Sequence, residues 1–195
     1  MTHVFPAPRH LHGIRRKRLR HDVQKLAEAL IPLVRDHGRL DTVGDDKLIL
    51  TYTMAAISVI EQHTGIAICD QAHEWGSSKG LPQGVLQIYP GPIREVTLKI
   101  AGAASAPAEL IDAGSAHNPY AIIEITEAST EAASIIFEGG SSNPFDMAPP
   151  ILQAVLVTAS HFYENREFSA PGASGRIPFM AEALLEPYRN IVLGV

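Results

Sequence analysis

Apolar residues recur along this chain with two different periods, and the change from one to the other divides it. Residues 149–167 read PPILQAVLVTASHFYENRE, placing Ile151, Leu152, Val155, Leu156, Ala159, Phe162 and Tyr163 on one broad helical face. Two prolines open the stretch, where a proline in the first turn forfeits only an amide that has no helical acceptor anyway. The stripe ends in Glu164, Asn165, Arg166 and Glu167. A helix this one-sided must bury its stripe, so it is predicted to be the core of a small bundle. A second helix is predicted over residues 47–63, with Leu48, Tyr52, Ala55, Ala56, Val59 and Ile60 along one side and Gly65 as its stop. Asp22 opens an earlier helix through Val23, Leu26, Ala27, Leu30 and Ile31, bent or restarted at Pro32 and ending at Gly38. A last short helix follows Ile177-Pro178, with Phe179, Ala183, Leu184 and Tyr188 as its apolar side and Pro187 limiting its length.

From Ile66 the period becomes two. Strands are predicted near 66–75, 85–89, 93–101, 120–126 and 133–138; Val96, Leu98 and Ile100 alternate with Thr97 and Lys99. Tyr89-Pro90-Gly91-Pro92 reads as a turn, residues 101–119 as a long Ala-, Gly- and Ser-rich loop, and residues 139–144 as the linker back to the helices. The predicted class is α+β, a bundle of about four helices with a β-rich insertion between helices two and three. Its parts are an extended N-terminal arm (1–21), the bundle in two halves (22–65 and 141–190), the insertion (66–140) and a C-terminal tail (191–195).

Charge adds something the periods do not show. The 195-residue chain has a net charge of −5, yet residues 1–25 hold seven basic residues against one acidic, a charge of +6. The remainder holds nine against twenty, or −11. A basic arm on an acidic body points to a negative partner for Arg15, Arg16, Lys17, Arg18 and Arg20, either nucleic acid or an acidic neighbouring subunit. A solvated or subunit-contact tail is the preferred reading of that run. With Cys69 as the only cysteine, no intrachain disulfide forms. The N-terminus lacks the apolar block and cleavage site of a signal peptide, and no apolar stretch is long enough for a membrane helix. The expectation is a soluble protein of cytoplasmic origin with no membrane partner.

Tests for chemistry return little. Residues 76–80 (GSSKG) lack the Gly-Lys-Ser/Thr ending of a phosphate-binding loop. His161 and Glu164 lie three apart on a helix, but no second pair stands at matching spacing for a metal. His73 and Glu74 point to opposite faces of a strand, and Ser160 and His161, adjacent on a helix, do not face each other. Asp41, Asp45 and Asp46 lack the alternation of a calcium loop and read as capping the following helix. No catalytic residue, metal ligand or cofactor is assigned. By contrast, the apolar end of the chain, Ile191 to Val195, is a liability unless a partner covers it, which points to assembly.

The order of parts carries a resemblance. A Leu-Val-Arg-Asp-His start (33–37) precedes the acidic turn and a helix ending IEQHTG (60–65); a β insertion with PGPI (90–93) follows. Then come the helix ending SHFYENRE (160–167) and the segment ALLEPYR (183–189). Over about residues 30–190 this resembles the head–tail connector proteins (adaptor, or head-completion) of long-tailed phages and gene transfer agents. The resemblance implies a homo-oligomeric ring of about twelve subunits below a portal protein, closed by a head-to-tail interface. It implies a virion protein at the head–tail interface, made in the host cytoplasm, that extends the channel for double-stranded DNA and docks a tail-side stopper or terminator. The family's C-terminal grip on the portal falls on Tyr188, Arg189, Asn190, Ile191, Val192, Leu193, Gly194 and Val195. His161, Tyr163, Glu164 and Arg166 are expected at a bundle end or subunit contact. The basic N-terminal residues have no counterpart in the family, so portal, neighbour or DNA stay open for them. A nucleic-acid-binding module led by that run is the alternative function, and a small hydrolase or metal enzyme the third.

Overall fold

The computed structural model describes residues 14–40, 44–104, 108–165 and 177–189, and the contacts group them into two compact units. One unit is helical. It holds α1 (Val23–Gly38), α2 (Asp46–Thr64), α3 (Pro149–Glu164) and α4 (Phe179–Leu185), with 3-10 turns at Pro144–Asp146 and Glu186–Tyr188. The other unit is built of strands: β1 (Ile14–His21), β2 (Gln71–Ser77), β3 (Gly84–Ile88), β4 (Ile93–Ile100), β5 (Ala103–Ala104), β6 (Glu109–Asp112), β7 (Ala121–Ile125) and β8 (Ala133–Gly139). The α+β class with a β-rich insertion between the second and third helices is therefore observed. No helix among the described residues is long and apolar enough to cross a membrane.

In the helical unit α3 packs against α1, α2 and α4. It is buried nearly all round: Ile151, Ala154, Val155, Leu156, Ala159 and Phe162 are joined by Thr158 and Ser160. Its central place follows from that composition, since a helix apolar over more than one face needs neighbours on more than one side. Helix α1 runs unbroken through Pro32, and Arg39 in the left-handed conformation, not Gly38, caps it. Gly38 is small for a different reason: a Cβ there would meet Leu40 Cγ at 3.0 Å and Ser160 Oγ at 3.2 Å.

Two predicted helix faces were rotated. The buried side of α2 is Ile49, Thr53, Ala56, Ile57, Ile60 and Thr64, while Ala55 is exposed. Thr53 and Thr64 return their hydroxyls to the carbonyls of Ile49 (2.7 Å) and Ile60 (2.8 Å), so both fit an apolar interface that their polarity had hidden. On α4 the buried side is Ala181 and Leu185, followed by Tyr188, whereas Phe179 and Ala183 face solvent.

Residues 66–69 belong with the helices and not with the insertion, and β2 begins only at Gln71. Ile66, Ala67, Ile68 and Cys69 are buried as an extended segment, tied to Ser141 by a parallel bridge. One oxygen of Glu61 in the last turn of α2 accepts the amides of both Ile68 (2.9 Å) and Cys69 (3.0 Å).

The strand unit is two packed antiparallel sheets, ordered β1-β2-β8-β4-β5 and β3-β7-β6. Inward residues alternate along each strand: Trp75, Leu98, Ile135 and Phe137 from the first sheet, Leu86, Ile88, Ile123 and Ile125 from the second. The loop expected over 101–119 contains β5 and β6, and the basic run expected in a free arm is β1, an edge strand paired along its whole length with β2. Basic side chains suit that place, because they discourage other chains from pairing with an open sheet edge.

Candidate functional site

The cations of β1 divide between two faces. Arg16 lies opposite Trp75 and faces the core side, where its guanidinium sits 4.4 Å from the Trp75 ring centre and 4.8 Å from that of Tyr89. It also donates to the Tyr89 hydroxyl. Replacing Arg16 by Ala should lower stability by about 1 kcal/mol, and Arg16→Lys by less, because an ammonium keeps the cation–π attraction but loses the flat stacking surface. Equal losses for both in denaturant titrations would refute that account.

Arg15, Lys17 and Arg20 face outward. Arg20 donates to Asp70 (3.1 Å) and Glu138 (3.0 Å), and Arg94 also reaches Asp70. The Glu138 hydrogen bond, then the charge of Asp70, raises the Arg20 pKa above its ordinary value. At the other end of the sheet the register sets Arg15, Gly76, Ser134 and Lys99 in one row across four strands, with Lys17 and Glu74 in the next. Small residues in the middle of the first row leave an open trough of about 630 Å³ between its cations. Arg15, Lys17 and Lys99 form no ion pair with any other described residue. Leu19 falls at a bulge between Arg18 and Arg20 and is exposed.

At the end of the bundle Tyr163 donates to Asp45 (2.5 Å), and its ring meets Tyr52 edge to face at 6.4 Å. Asp45 holds the N-cap position of α2 without capping through its side chain, and Asp46 accepts from Arg35 at 2.6 Å. Arg35 donates also to the Leu40 carbonyl (2.8 Å), which ties the turn between α1 and α2. Tyr163→Phe keeps the ring and removes one donor to the Asp45 carboxylate; the expected loss is about 1–2 kcal/mol, read as a lower denaturation midpoint with an unchanged slope. A midpoint equal to wild type would show that water replaces the hydroxyl at no cost. His161 and Glu164 are exposed on α3 and line a shallow groove with Arg39, Val157 and Met180. Arg166 lies outside the described residues.

The C-terminal expectation needs one correction. Tyr188 is only 6% exposed and belongs to the bundle interior, so its ring is not offered to a partner. Arg189 is exposed; Asn190, Ile191, Val192, Leu193, Gly194 and Val195 lie outside the described residues. Among the described residues of this unit, the large apolar side chains that face solvent are Phe145 (74%), Phe179 (87%) and Met180 (64%). Phe145 sits on a turn fixed by Asn143, whose side chain accepts its amide and donates to Asp146. The Asn-Pro pair at 143–144 was the available signal for that turn, but local sequence could not say that the phenylalanine after it stays uncovered.

The groups tested for chemistry do not converge. Cys69 is fully buried, and Ser160 is buried while His161 is exposed. His73 stacks on Phe137 at 5.4 Å, on the face of β2 opposite Glu74. Residues 76–80 lead from β2 toward another strand, not into a helix. What the described surface offers is charge and exposed apolar area.

No protein-family model matches the chain, and no curated protein matches it either. Solved structures do. A chain from the neck of an empty gene transfer agent particle, computed with C6 symmetry, superposes with a TM-score of 0.71 at 24% identity, covering 93% of this chain and 98% of that one. A chain from the virion of a native gene transfer agent particle gives 0.66 at 24% identity, over 92% and 98%. One from the neck of a native particle computed with C12 symmetry gives 0.67 at 22% identity, over 93% and 98%. Across both its helical and its strand units, this chain has the fold of chains found in the neck of gene transfer agent particles.

Proposed function

We propose that this protein is a structural component of a virion neck, a head–tail connector that forms a ring below the portal of a tailed phage or gene transfer agent. The observation that carries the reading is the extent of the likeness: it runs through more than nine-tenths of both chains, and the similar chains come from necks treated with sixfold and twelvefold symmetry. A ring of this kind extends the DNA channel and presents a surface to the next tail-side protein. Its work is binding, which suits a chain whose unsatisfied features are exposed apolar side chains and unpaired charges. The portal contact belongs to Arg189 and the residues after it, and Phe145, Phe179 and Met180 are further contact groups of the helical unit.

Cryo-electron microscopy of particles tests the proposal, with α3 as the marker for placing the chain. A ring of copies between portal and tail, with residues 189–195 against the portal, is the expected result. Particles that contain the chain elsewhere, or lack it, would overturn the reading. A nucleic-acid module led by the basic run has less support, since residues 14–21 are a paired strand with Arg16 and Arg20 already engaged.

A further inference from the structure

We infer that two outer patches of the strand unit, one at the Arg15 end of the first sheet and one on the second sheet, are the complementary halves of one interface, so that the basic patch of one copy binds the acidic patch of the next. The inference rests on the ring reading and names the surfaces that would close the ring.

The basic half is the trough already described, where Arg15 and Lys99 stand at the two ends of one cross-strand row and Lys17 stands in the next. The acidic half is the outer face of the second sheet. Residues 101–132 contain five acidic residues and no lysine or arginine. In the register of β6 on β7, Glu109 lies directly opposite Glu124, with Asp112 opposite Ile122. These residues point away from the core, because their neighbours Ile123 and Ile125 point into it. Like charges directly opposite each other on a sheet repel and cost stability. Nothing on the described part of this face offsets the Glu109–Glu124 pair: neither residue is in an ion pair with a described residue.

The acidic pair is therefore strained by its own charge, while the basic patch carries three cations against Glu74 alone, so each patch carries what the other lacks. Both also have an apolar centre. Ile111, at the bulge of β6, is 53% exposed beside half-buried Ile122, and half-buried Ile136 lies in the row of Lys17 and Glu74. Apolar residues ringed by charge match the anatomy of a protein interface. A phosphate backbone fits less well, because Glu74 stands among the cations and Ile136 offers phosphate nothing. Two different patches on one subunit that complement each other make a head-to-tail contact, the kind that closes into a ring when the rotation allows.

Charge reversal on the full-length chain tests this. One variant is Arg15→Glu/Lys17→Glu/Lys99→Glu, the other Glu109→Lys/Glu124→Lys; Arg15, Lys17 and Glu109 are exposed, Lys99 and Glu124 are half-buried on outer faces, and circular dichroism confirms folding. Sedimentation velocity reads assembly at about 50 mM and about 500 mM salt, since exposed charges are screened within a few ångströms at the higher value. Wild type should self-associate, and more weakly at high salt. Each variant alone should associate about 100-fold more weakly, as several attractions become repulsions. The two variants mixed in equal amounts should recover assembly, because one then has two acidic faces and the other two basic ones. Wild type that stays monomeric at low salt, variants that assemble normally, or a mixture that fails to recover would each overturn the inference. So would a basic-face variant that assembles normally but loses salt-sensitive binding to a DNA duplex. Recovery on mixing, together with particles that lack the chain in the neck, would leave the interface standing and remove the neck reading. A neck ring whose copies do not bring these faces together would do the reverse.

Discussion

Gly80→Ala is expected to destabilise the strand unit by about 4 kcal/mol, lowering the thermal midpoint by roughly 8–16 °C for a chain of this size. Gly80 has a φ of +78°, and a Cβ placed on it would lie 1.7 Å from the Ser129 carbonyl oxygen and 2.5 Å from its carbon. Backbone atoms cannot swing aside as a flexible side chain would. The clash must push Leu81 away from Ser129, and those residues exchange two backbone hydrogen bonds, of 3.1 and 2.9 Å. Leu81 is itself a core residue at 3% exposure. The left-handed backbone alone accounts for about 1–2 kcal/mol, and the lost pair and displaced leucine for the rest. Gly102 separates the two causes: its φ is +81° and nothing lies within 4 Å of its added Cβ. Gly102→Ala should therefore cost only the backbone share. If both variants lose the same amount in calorimetry, the Ser129 contact is softer than its distances imply.

The helices were legible because each buries a stripe dense enough to survive one or two polar interruptions. Which side of a helix faces inward was less so. On α4 the predicted side was Phe179, Ala183, Leu184 and Tyr188, yet of these only Tyr188 is buried, beside Ala181 and Leu185. Burial there follows from what α3 can accommodate, and local sequence holds no record of that. Strand β1 was illegible for a chemical reason: both its faces are cationic, so it shows no apolar alternation, and even Arg16 on the core side stays exposed, lying over two aromatic rings. Strand β6 was hidden in an Ala- and Gly-rich run with only Leu110 turned toward the core.

The candidate surfaces divide in the same way. The basic run could be read from composition alone, and so could the acid-rich stretch. Their arrangement could not, since Arg15 and Lys99 share a row only through the pairing of four strands, and Glu109 meets Glu124 only through the register of β6 on β7. Facts of register are nonlocal, and one residue of slip would have turned every one of these charges to the other face.

Glu61→Ala is expected to be the most damaging single side-chain truncation at the junction between α2 and the segment 66–69, costing about 2–5 kcal/mol. A glutamate in the last turn of a helix is poorly placed by itself, because the helix dipole there is negative. Its compensation is specific. Gly65 turns the chain back in a left-handed conformation, and the amides of Ile68 and Cys69 then point at one Glu61 oxygen. Both of those residues are buried, at 4% and 0% exposure, so neither amide can turn to water when the carboxylate is removed. Two stranded buried amides cost more than the deleted side chain's own packing. Glu61→Gln discriminates between charge and connectivity: its amide oxygen can still accept both bonds, and the loss should fall to about 1 kcal/mol, the difference between a charged and a neutral acceptor. Hydrogen exchange at the Ile68 and Cys69 amides gives the direct readout. Exchange should quicken strongly in Glu61→Ala and only slightly in Glu61→Gln. Unchanged protection in the alanine variant would mean that the extended segment is held by its bridge to Ser141 and by apolar burial, with the carboxylate only a follower.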